Sequence, residues 1–312
     1  MDGEFGKLKY LINKGYKIDE ICTKMNLPKY YVIGMVITLK EKGFGVDYID
    51  GRVTKTKMPK KIQCIYKVDN LSGDNIRLCL ISDTHLCSIY DRLDILNYIY
   101  EKAYKNGIKI ILHDGDFTDG NNGTEKHVSE LKEESYSGQV DYCVEKYPFD
   151  EDIKTYAIQG NHDDWWYQKN GEEILKSISD QRSDIIYLGR NRAILQLGKL
   201  AIGLFHGKGN TRQIQNYQVA KDIKKEFGNK VLNLLILGHV HQSFYINQSD
   251  VHCFQAGCLM DKPPYFYDGT CDTSCWWIDI NLDSKGNIYD IRMNLEHFNK
   301  NNNNRYVRQR MK

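Results

Sequence analysis

Short apolar runs, each followed at once by Asp, His or Asn, recur along this chain from residue 77 onward. Arg77–Ser82 reads as a buried strand running into Asp83. Ile108–Leu112 is the next strand and ends in His113-Asp114-Gly115-Asp116. Thr155–Gln159 leads into Gly160-Asn161-His162-Asp163. Ile194–Leu197 and Leu200–Phe205 predict a hairpin before His206, and Val231–Leu237 runs into Gly238-His239-Val240-His241. Helical spacing fills the intervals. Leu93, Ile95, Leu96 and Ile99 predict a helix over Ile89–Lys105, stopped by Gly107, and Ile214, Val219 and Ile223 predict another over Thr211–Phe227. Trp276–Leu282 and Asn287–Met293, either side of Ser284-Lys285-Gly286, predict a closing antiparallel pair. Strands interleaved with helices indicate an α/β class. In such folds, ligands gather beyond the carboxyl ends of the strands. Core packing explains a series of Asp and His clusters in register poorly, because a buried Asp or His without a partner is costly. Metal coordination supplies the partner.

The first sixty residues have a different texture. Phe5, Leu8 and Leu11 share one helical face, and Ile18, Ile21, Cys22 and Met25 share a second. Pro28 is placed to open a third helix, striped by Tyr31, Val32, Met35, Val36 and Leu39 and closed by Gly43. Two extended runs, Gly45–Ile49 and Arg52–Thr56, flank Asp50-Gly51, a strong hairpin signal. Three helices and a hairpin in this order resemble a winged helix-turn-helix domain over about residues 4–58. The resemblance implies a third helix able to enter a major groove, with Lys29, Tyr30, Tyr31 and Lys40 on or near it. Arg52, Lys55 and Lys57 would lie on the wing. Winged domains also bind proteins or pack against a neighbour, so DNA and assembly both stand as roles for this segment.

The body closely resembles the calcineurin-like metallophosphoesterase family. The resemblance rests on Asp83-Thr84-His85, Gly115-Asp116-Phe117-Thr118-Asp119, Gly160-Asn161-His162-Asp163, His206 and Gly238-His239-Val240-His241, in order over about residues 77–260. It implies a four-layer β-sandwich flanked by helices, with two divalent metal ions at one edge. By that resemblance the first ion would take Asp83, His85, Asp116 and His241. The second would take Asp116, Asn161, His206 and His239, with Asp116 bridging. Mixed N/O donors suit Mn, Fe, Zn or Ni better than Mg, with Mn the expected ion. A water held between two such ions is activated to attack phosphorus. The resemblance places His162 at the leaving oxygen as a catalytic residue, with Asp163 expected to fix its tautomer. Asp119 is expected to orient its neighbours rather than bind metal. His113 reads either as a partner of the ligands or as a packed core residue. Trp165 and Trp166 line a pocket or open the next helix. Lys208 and Arg212 follow His206 and stand as candidate phosphate contacts. The Asp-Asp-Trp-Trp that follows His162 lacks an arginine to grip phosphate, which lowers the weight of a protein-phosphatase activity.

Composition refines this picture without redirecting it. The 312 residues carry a net charge of +2, unevenly spread. Residues 1–62 hold 13 basic and 7 acidic groups, and the last thirteen residues add five positive charges and no negative ones. A basic head and tail around an acidic body permit DNA as a partner. No stretch has the apolar length of a membrane span, no secretory signal is evident, and the nine cysteines are an odd set. These features lead to an expectation of a cytoplasmic, reducing location. Cys253, Cys258, Cys271 and Cys275 lie near His252, but without a paired C-x-x-C they read as buried thiols more than as a zinc site. The organisation expected is a winged domain over residues 1–62, a linker over 63–76, with one short strand read over Ile62–Val68, and the phosphoesterase body over 77–298. Residues 121–150 form a candidate cap or surface helix, and 299–312 a basic tail. Three functions follow. The first is a metal-dependent phosphodiesterase or nuclease acting on nucleic acid. The second is a nucleotide or small-molecule phosphoesterase whose winged domain serves assembly. The third is a vestigial DNA-binding or scaffold protein.

Overall fold

The structure is a computed structural model that describes residues 2–41, 46–49, 52–55, 65–68, 74–207, 227, 231–248, 250–264 and 271–298. It divides into two compact units, Met1–Ile62 and Gln63–Lys312.

In the first unit, helices α1 (Asp2–Asn13), α2 (Ile18–Met25) and α3 (Lys29–Glu41) precede an antiparallel pair, β1 (Val46–Ile49) and β2 (Arg52–Lys55). Leu8, Leu11, Ile18, Ile21, Val32, Met35, Val36 and Leu39 converge with Val46 in one core. Gly15 ends α1 and Asn26 ends α2, both in the left-handed region that stops a helix cheaply. The stripe expected on α3 holds except for Tyr31, which is exposed beside Tyr30. Gly34 lies on the exposed side of α3 with nothing near its missing Cβ. Gly34→Ala is therefore expected to stabilise this unit by about 0.5–1 kcal/mol, read as a higher denaturation midpoint.

The second unit contains two six-stranded sheets. One has the order β14-β13-β4-β5-β6-β7 and the other β11-β12-β10-β9-β8-β3. In the first sheet, β4 (Asn75–Ile81), β5 (Ile110–His113), β6 (Lys154–Gln159) and β7 (Ile185–Arg190) run parallel. The antiparallel strands β13 (Ser274–Leu282) and β14 (Ile288–His297) extend it. In the second sheet, β8 (Arg192–Leu197) pairs antiparallel with β9 (Leu200–Phe205), as the hairpin reading expected. Strand β10 (Leu234–Leu237) runs parallel to β9 and to β12 (Val251–Gln255), with β11 (Phe244–Gln248) at the edge.

Alternation decides what each strand faces. Ile76, Leu78 and Leu80 of β4 join Leu195, Ile202, Leu204 and Ile236 in the core between the sheets. Cys79 and Ile81, pointing the other way, pack under α4 (Leu93–Lys105), α6 (Tyr136–Lys146) and the short helix Ile174–Ser179. Both faces of these strands are buried, so they read as continuous apolar runs. The outer face of the other sheet carries Leu235, Leu237 and Cys253 with Phe227 and Leu232. The helix expected over Thr211–Phe227, apart from Phe227 itself, and the basic tail 299–312 lie outside the described residues.

Three boundaries differ from the sequence reading. The connector, read with one short strand over Ile62–Val68, holds β3 (Ile65–Val68), which pairs with β8, and the second compact unit begins at Gln63. Helix α4 starts at Leu93 rather than Ile89, because the Ile89 N–H is taken by Glu130 O and Arg92 is tied to Asp94 and Asp261. The 121–150 segment is two helices, α5 (Glu125–Val128) and α6, capped by Thr124 and Ser135. Val140 and Cys143 bury α6 in the same core as α4. Among the described residues, no helix is long and apolar enough to cross a membrane.

Candidate metal centre

Topology brings the predicted residues together. Strands β4, β5 and β6 are neighbours and parallel, so Asp83 and His85, Asp116, and Asn161 with His162 leave the same edge of one sheet. Strands β9 and β10 are parallel neighbours in the other sheet, and they deliver His206, His239 and His241. The exit loops are cross-linked by Asp83 N–H to Gly115 O and by His85 N–H to Asp116 O, each 3.0 Å.

Backbone strain is concentrated here. Asp83, His85, Asp116, His239 and His241 all have positive φ, between 43° and 77°. Side chains rarely accept this conformation, and it is tolerated where surrounding structure imposes it, typically at functional sites. The glycines beside these residues serve close approach. A Cβ on Gly160 would lie 2.2 Å from Asp116 Oδ1, and one on Gly238 would lie 2.5 Å from Ser82 Oγ.

Two of the donor groups that result are Asp83–His85–His241 and Asp116–His206–His239, each with ligand atoms within 4.8 Å of one another. His241 Nε2 is 3.2 Å from Asp83 Oδ1 and 3.3 Å from His85 Nε2. His206 Nε2 is 3.0 Å from Asp116 Oδ2, which is itself 3.8 Å from His85 Nε2. Three imidazoles thus turn Nε2 inward and anchor Nδ1 outside. His85 Nδ1 contacts Asp119 Oδ1 at 2.9 Å, and His206 Nδ1 donates to Asp114 O at 2.5 Å. His241 Nδ1 faces Cys271 Sγ at 3.9 Å. Such outer partners fix the tautomer and aim of a metal-binding histidine.

The electrostatics favour added positive charge. Burial opposes ionisation of Asp83, yet His241 and His206 hold its carboxyl below the usual range. Burial opposes it in Asp116 too, and His206 and His162 override it strongly. Burial likewise disfavours charge on His206, but Asp116 and Asp83 push it up to about 10. His241 reaches about 10 against burial, driven by Asp83. Asp83 Oδ1, Asn161 Oδ1 and His206 Nε2 are buried and make no hydrogen bond. Orphaned polar atoms of this kind are expensive unless a ligand completes them. Oxygen and imidazole donors around one spot fit a divalent cation of the first transition series.

His162 lies beside this cluster. Its backbone N–H donates to Asp116 Oδ1 at 2.8 Å, and its Nδ1 sits 3.0 Å from Asp119 O and 3.2 Å from Asp119 Oδ1. Burial works against its charge, but Asp116 and then Asp119 raise it to about 9. The role expected of Asp163 is corrected. Its carboxylate accepts from the N–H groups of Phe117, Thr118 and Gly160 and from Thr118 Oγ1, tying two exit loops together. Its oxygens are spent on backbone, and Asp119 is the group that meets His162.

The residues left open in the sequence now have places. His113 is buried, bonded to Thr84 Oγ1 and packed on Phe117, and burial lowers it to about 3. Trp166 is a core residue whose Nε1 donates to Gln139, whereas the Trp165 ring lies 4.1 Å from that of His162. Lys208 and Arg212 lie outside the described residues. Sequence reasoning missed His127, whose Nε2 is 3.5 Å from Asp119 Oδ2, and Cys271 behind His241. Neither belongs to a strand-end cluster, so no local pattern marks them.

Among solved structures, the chain is similar to a novel archaeal phosphodiesterase, with 15% identity and a TM-score of 0.42 over 71% of this chain and 100% of the other. It is similar to the phosphoesterase Yfce from E. coli, with 15% identity and a TM-score of 0.36 over 70% and 98% of the two chains. A third is zinc-complexed Vps29 from Entamoeba histolytica, with 12% identity and a TM-score of 0.36 over 72% and 100%. No curated protein matches the sequence. The family model of the calcineurin-like phosphoesterase superfamily domain matches residues 76–267, the stretch that holds both donor groups and every strand that delivers them. This chain belongs to the calcineurin-like phosphoesterase superfamily.

Proposed function

We propose that this protein is a phosphodiesterase that works with two divalent cations, Mn²⁺ foremost, and cleaves nucleic acid. The observation that carries the reading is the pair of donor groups meeting at Asp116, whose Oδ2 lies 3.0 Å from His206 Nε2 and 3.8 Å from His85 Nε2. Asp83, His85, Asp116 and His241 would hold one cation. Asp116, Asn161, His206 and His239 would hold the other. Cations held there would activate a water for attack on phosphorus and offset the charge growing on the phosphoryl oxygens.

The remaining roles belong to the chain. Asp119 orients His85 and His162 through one carboxylate oxygen. His162 keeps its Nδ1 proton on Asp119 and offers Nε2 to the departing oxygen, which needs a proton as the ester bond breaks. A nucleic-acid substrate is supported by the first unit, where Tyr30 and Tyr31 are exposed on α3 next to Lys29 in sequence, within a segment of net charge +6. We read that unit as a winged helix-turn-helix domain that delivers the substrate.

The test is turnover by chelator-stripped protein after Mn²⁺ is restored, on single- and double-stranded DNA and on a bis-aryl phosphodiester. Cleavage of all three, lost again with chelator, is the expected result. Hydrolysis of the aryl diester alone would move the assignment to a small-molecule phosphodiesterase. No turnover with Mn, Ni, Fe or Zn would leave a scaffold protein. His162→Gln is expected to slow the aryl diester reaction by about 10²–10⁴-fold with the bound metal unchanged. Loss of metal from that variant would show that His162 is a ligand instead.

A further inference from the structure

Each inward-facing histidine has an outer partner, and that of His241 differs in kind. His85 and His206 lean on oxygen atoms of Asp119 and Asp114, which are inert to oxidation. His241 leans on a sulfur, Cys271 Sγ, and that sulfur lies 3.0 Å from Cys258 Sγ. Both cysteines are free thiols.

The backbone fixes this meeting. The Cys258 N–H donates to Asp272 O at 2.9 Å, and the Ser274 N–H returns to Cys258 O at 3.2 Å. Asp272 N–H donates to His241 O at 2.8 Å, and the Asp272 carboxylate accepts the Ser243 N–H at 2.9 Å. The segment bearing Cys271 is thereby stitched to both Cys258 and His241. Cys258 is fully buried, whereas Cys271 is partly exposed and open to a small oxidant. Cys79, Cys87, Cys143 and Cys275 are all buried.

We propose that Cys258 and Cys271 are a reversible oxidation site, whose disulfide form loosens His241 and weakens cation binding at Asp83–His85–His241. The oxidant class is a peroxide. The Cys271 thiol attacks one peroxide oxygen, the O–O bond breaks, and a sulfenic acid forms with release of one water. The Cys258 sulfur then attacks Cys271 Sγ, expels the hydroxyl and gives up its proton to it as a second water. Two thiols are oxidised and one peroxide is reduced. Closure draws Cys271 Sγ toward Cys258, since a disulfide bond is about 2.05 Å long. The sulfur thereby moves off the His241 Nδ1 that it braces. Losing such an outer partner typically weakens metal affinity by about 10–100-fold. The coupling to the cation rests on the metal-centre reading above, while disulfide formation does not.

The experiment treats full-length protein with hydrogen peroxide, then compares non-reducing peptide maps and Mn²⁺ titrations of the oxidised and reduced forms. The expected result is a linked Cys258–Cys271 peptide, reversed by a thiol reductant, and Mn²⁺ affinity at one site about tenfold weaker in the oxidised form. Cys271→Ser should form no such link and bind Mn²⁺ alike before and after peroxide. If that variant does not fold, the wild-type map and titration decide alone. No linked peptide, or a linked peptide with unchanged Mn²⁺ affinity, overturns the proposal. So does the finding that the pair holds a zinc ion lost from Cys258→Ser and Cys271→Ser alike. Reduced protein that binds no Mn²⁺ sinks the metal reading and the coupling with it, while the peptide map still decides whether the disulfide forms.

Discussion

Asp116→Asn is expected to lower turnover by about 10³-fold or more while leaving the fold intact. Asparagine keeps the volume, and its Oδ1 still accepts the His162 N–H that Asp116 Oδ1 now accepts at 2.8 Å. What it loses is the charge between the two donor groups. Asp116 Oδ2 lies 3.0 Å from His206 Nε2 and 3.8 Å from His85 Nε2, whereas Asp83 Oδ1 lies 3.2 Å from His241 Nε2 and 4.0 Å from His206 Nε2. A neutral bridge leaves two cations repelling each other across a short gap, and at least one is lost. Apo stability should fall, because residue 116 no longer attracts His206 and His162, and relief of its repulsion of the buried Asp83 offsets this only in part. Three measurements check this: turnover with Mn²⁺, metal content per chain, and thermal melts with and without Mn²⁺. The cation should raise the wild-type midpoint and raise the variant's less. Wild-type turnover in Asp116→Asn would remove the bridging role.

Much of this candidate centre was legible in the sequence because every candidate ligand follows closely on the end of a strand. An apolar run that stops at Asp, His or Asn is a local signal, and parallel order turns local signals into a shared edge. The apolar stripe of α4 and the hairpin of β8 and β9 were legible for the same reason: their patterns are contained within one or two elements. What escaped notice depends on contacts between distant segments. The true partner of His162 is Asp119, which arrives from the β5 exit, while the adjacent Asp163 turns away to tie down backbone N–H groups. Adjacency in the chain suggested the wrong pair, since a tight turn after a strand sends consecutive side chains in different directions. His127 meets Asp119 from the helix α5, and Cys271 meets His241 across the β13 approach. Neither contact leaves a spacing to read. The strand read over Ile62–Val68 is β3, but its place in a sheet was not legible. Its side chains are half-buried or exposed, so its sheet membership rests on backbone pairing with β8 rather than on an apolar run.

Gly160→Ala should empty the centre as effectively as removing a ligand, although it adds only one methyl group. The new Cβ would stand 2.2 Å from Asp116 Oδ1, 2.3 Å from Asp116 N and 2.7 Å from His206 Nε2. The contact with Asp116 N is to buried backbone, so rotating a side chain does not relieve it. Either the β6 exit or the Asp116 loop must move. The β6 exit is held by the Gly160 N–H to Asp163 Oδ2 at 2.9 Å. The Asp116 loop is held by His85 N–H to Asp116 O and by Phe117 N–H to the same Asp163 carboxylate. Overpacking of this kind costs about 1–3 kcal/mol. The second unit should therefore still fold, with a lower midpoint, and the damage falls on Asp116 and His206 together. Metal content should drop, and turnover should fall by about 10²-fold or more, since misplacing ligands by about 1 Å has effects of that order. Gly198→Ala supplies the contrast, because its positive φ is strained by a side chain but nothing lies within 4 Å of the added Cβ. That variant should lose about 1 kcal/mol of stability and keep its metals and activity. If the two variants behave alike, crowding at Asp116 is not what Gly160 prevents. The close approach of β6 to the ligand loop would then lose its place in the account of the centre.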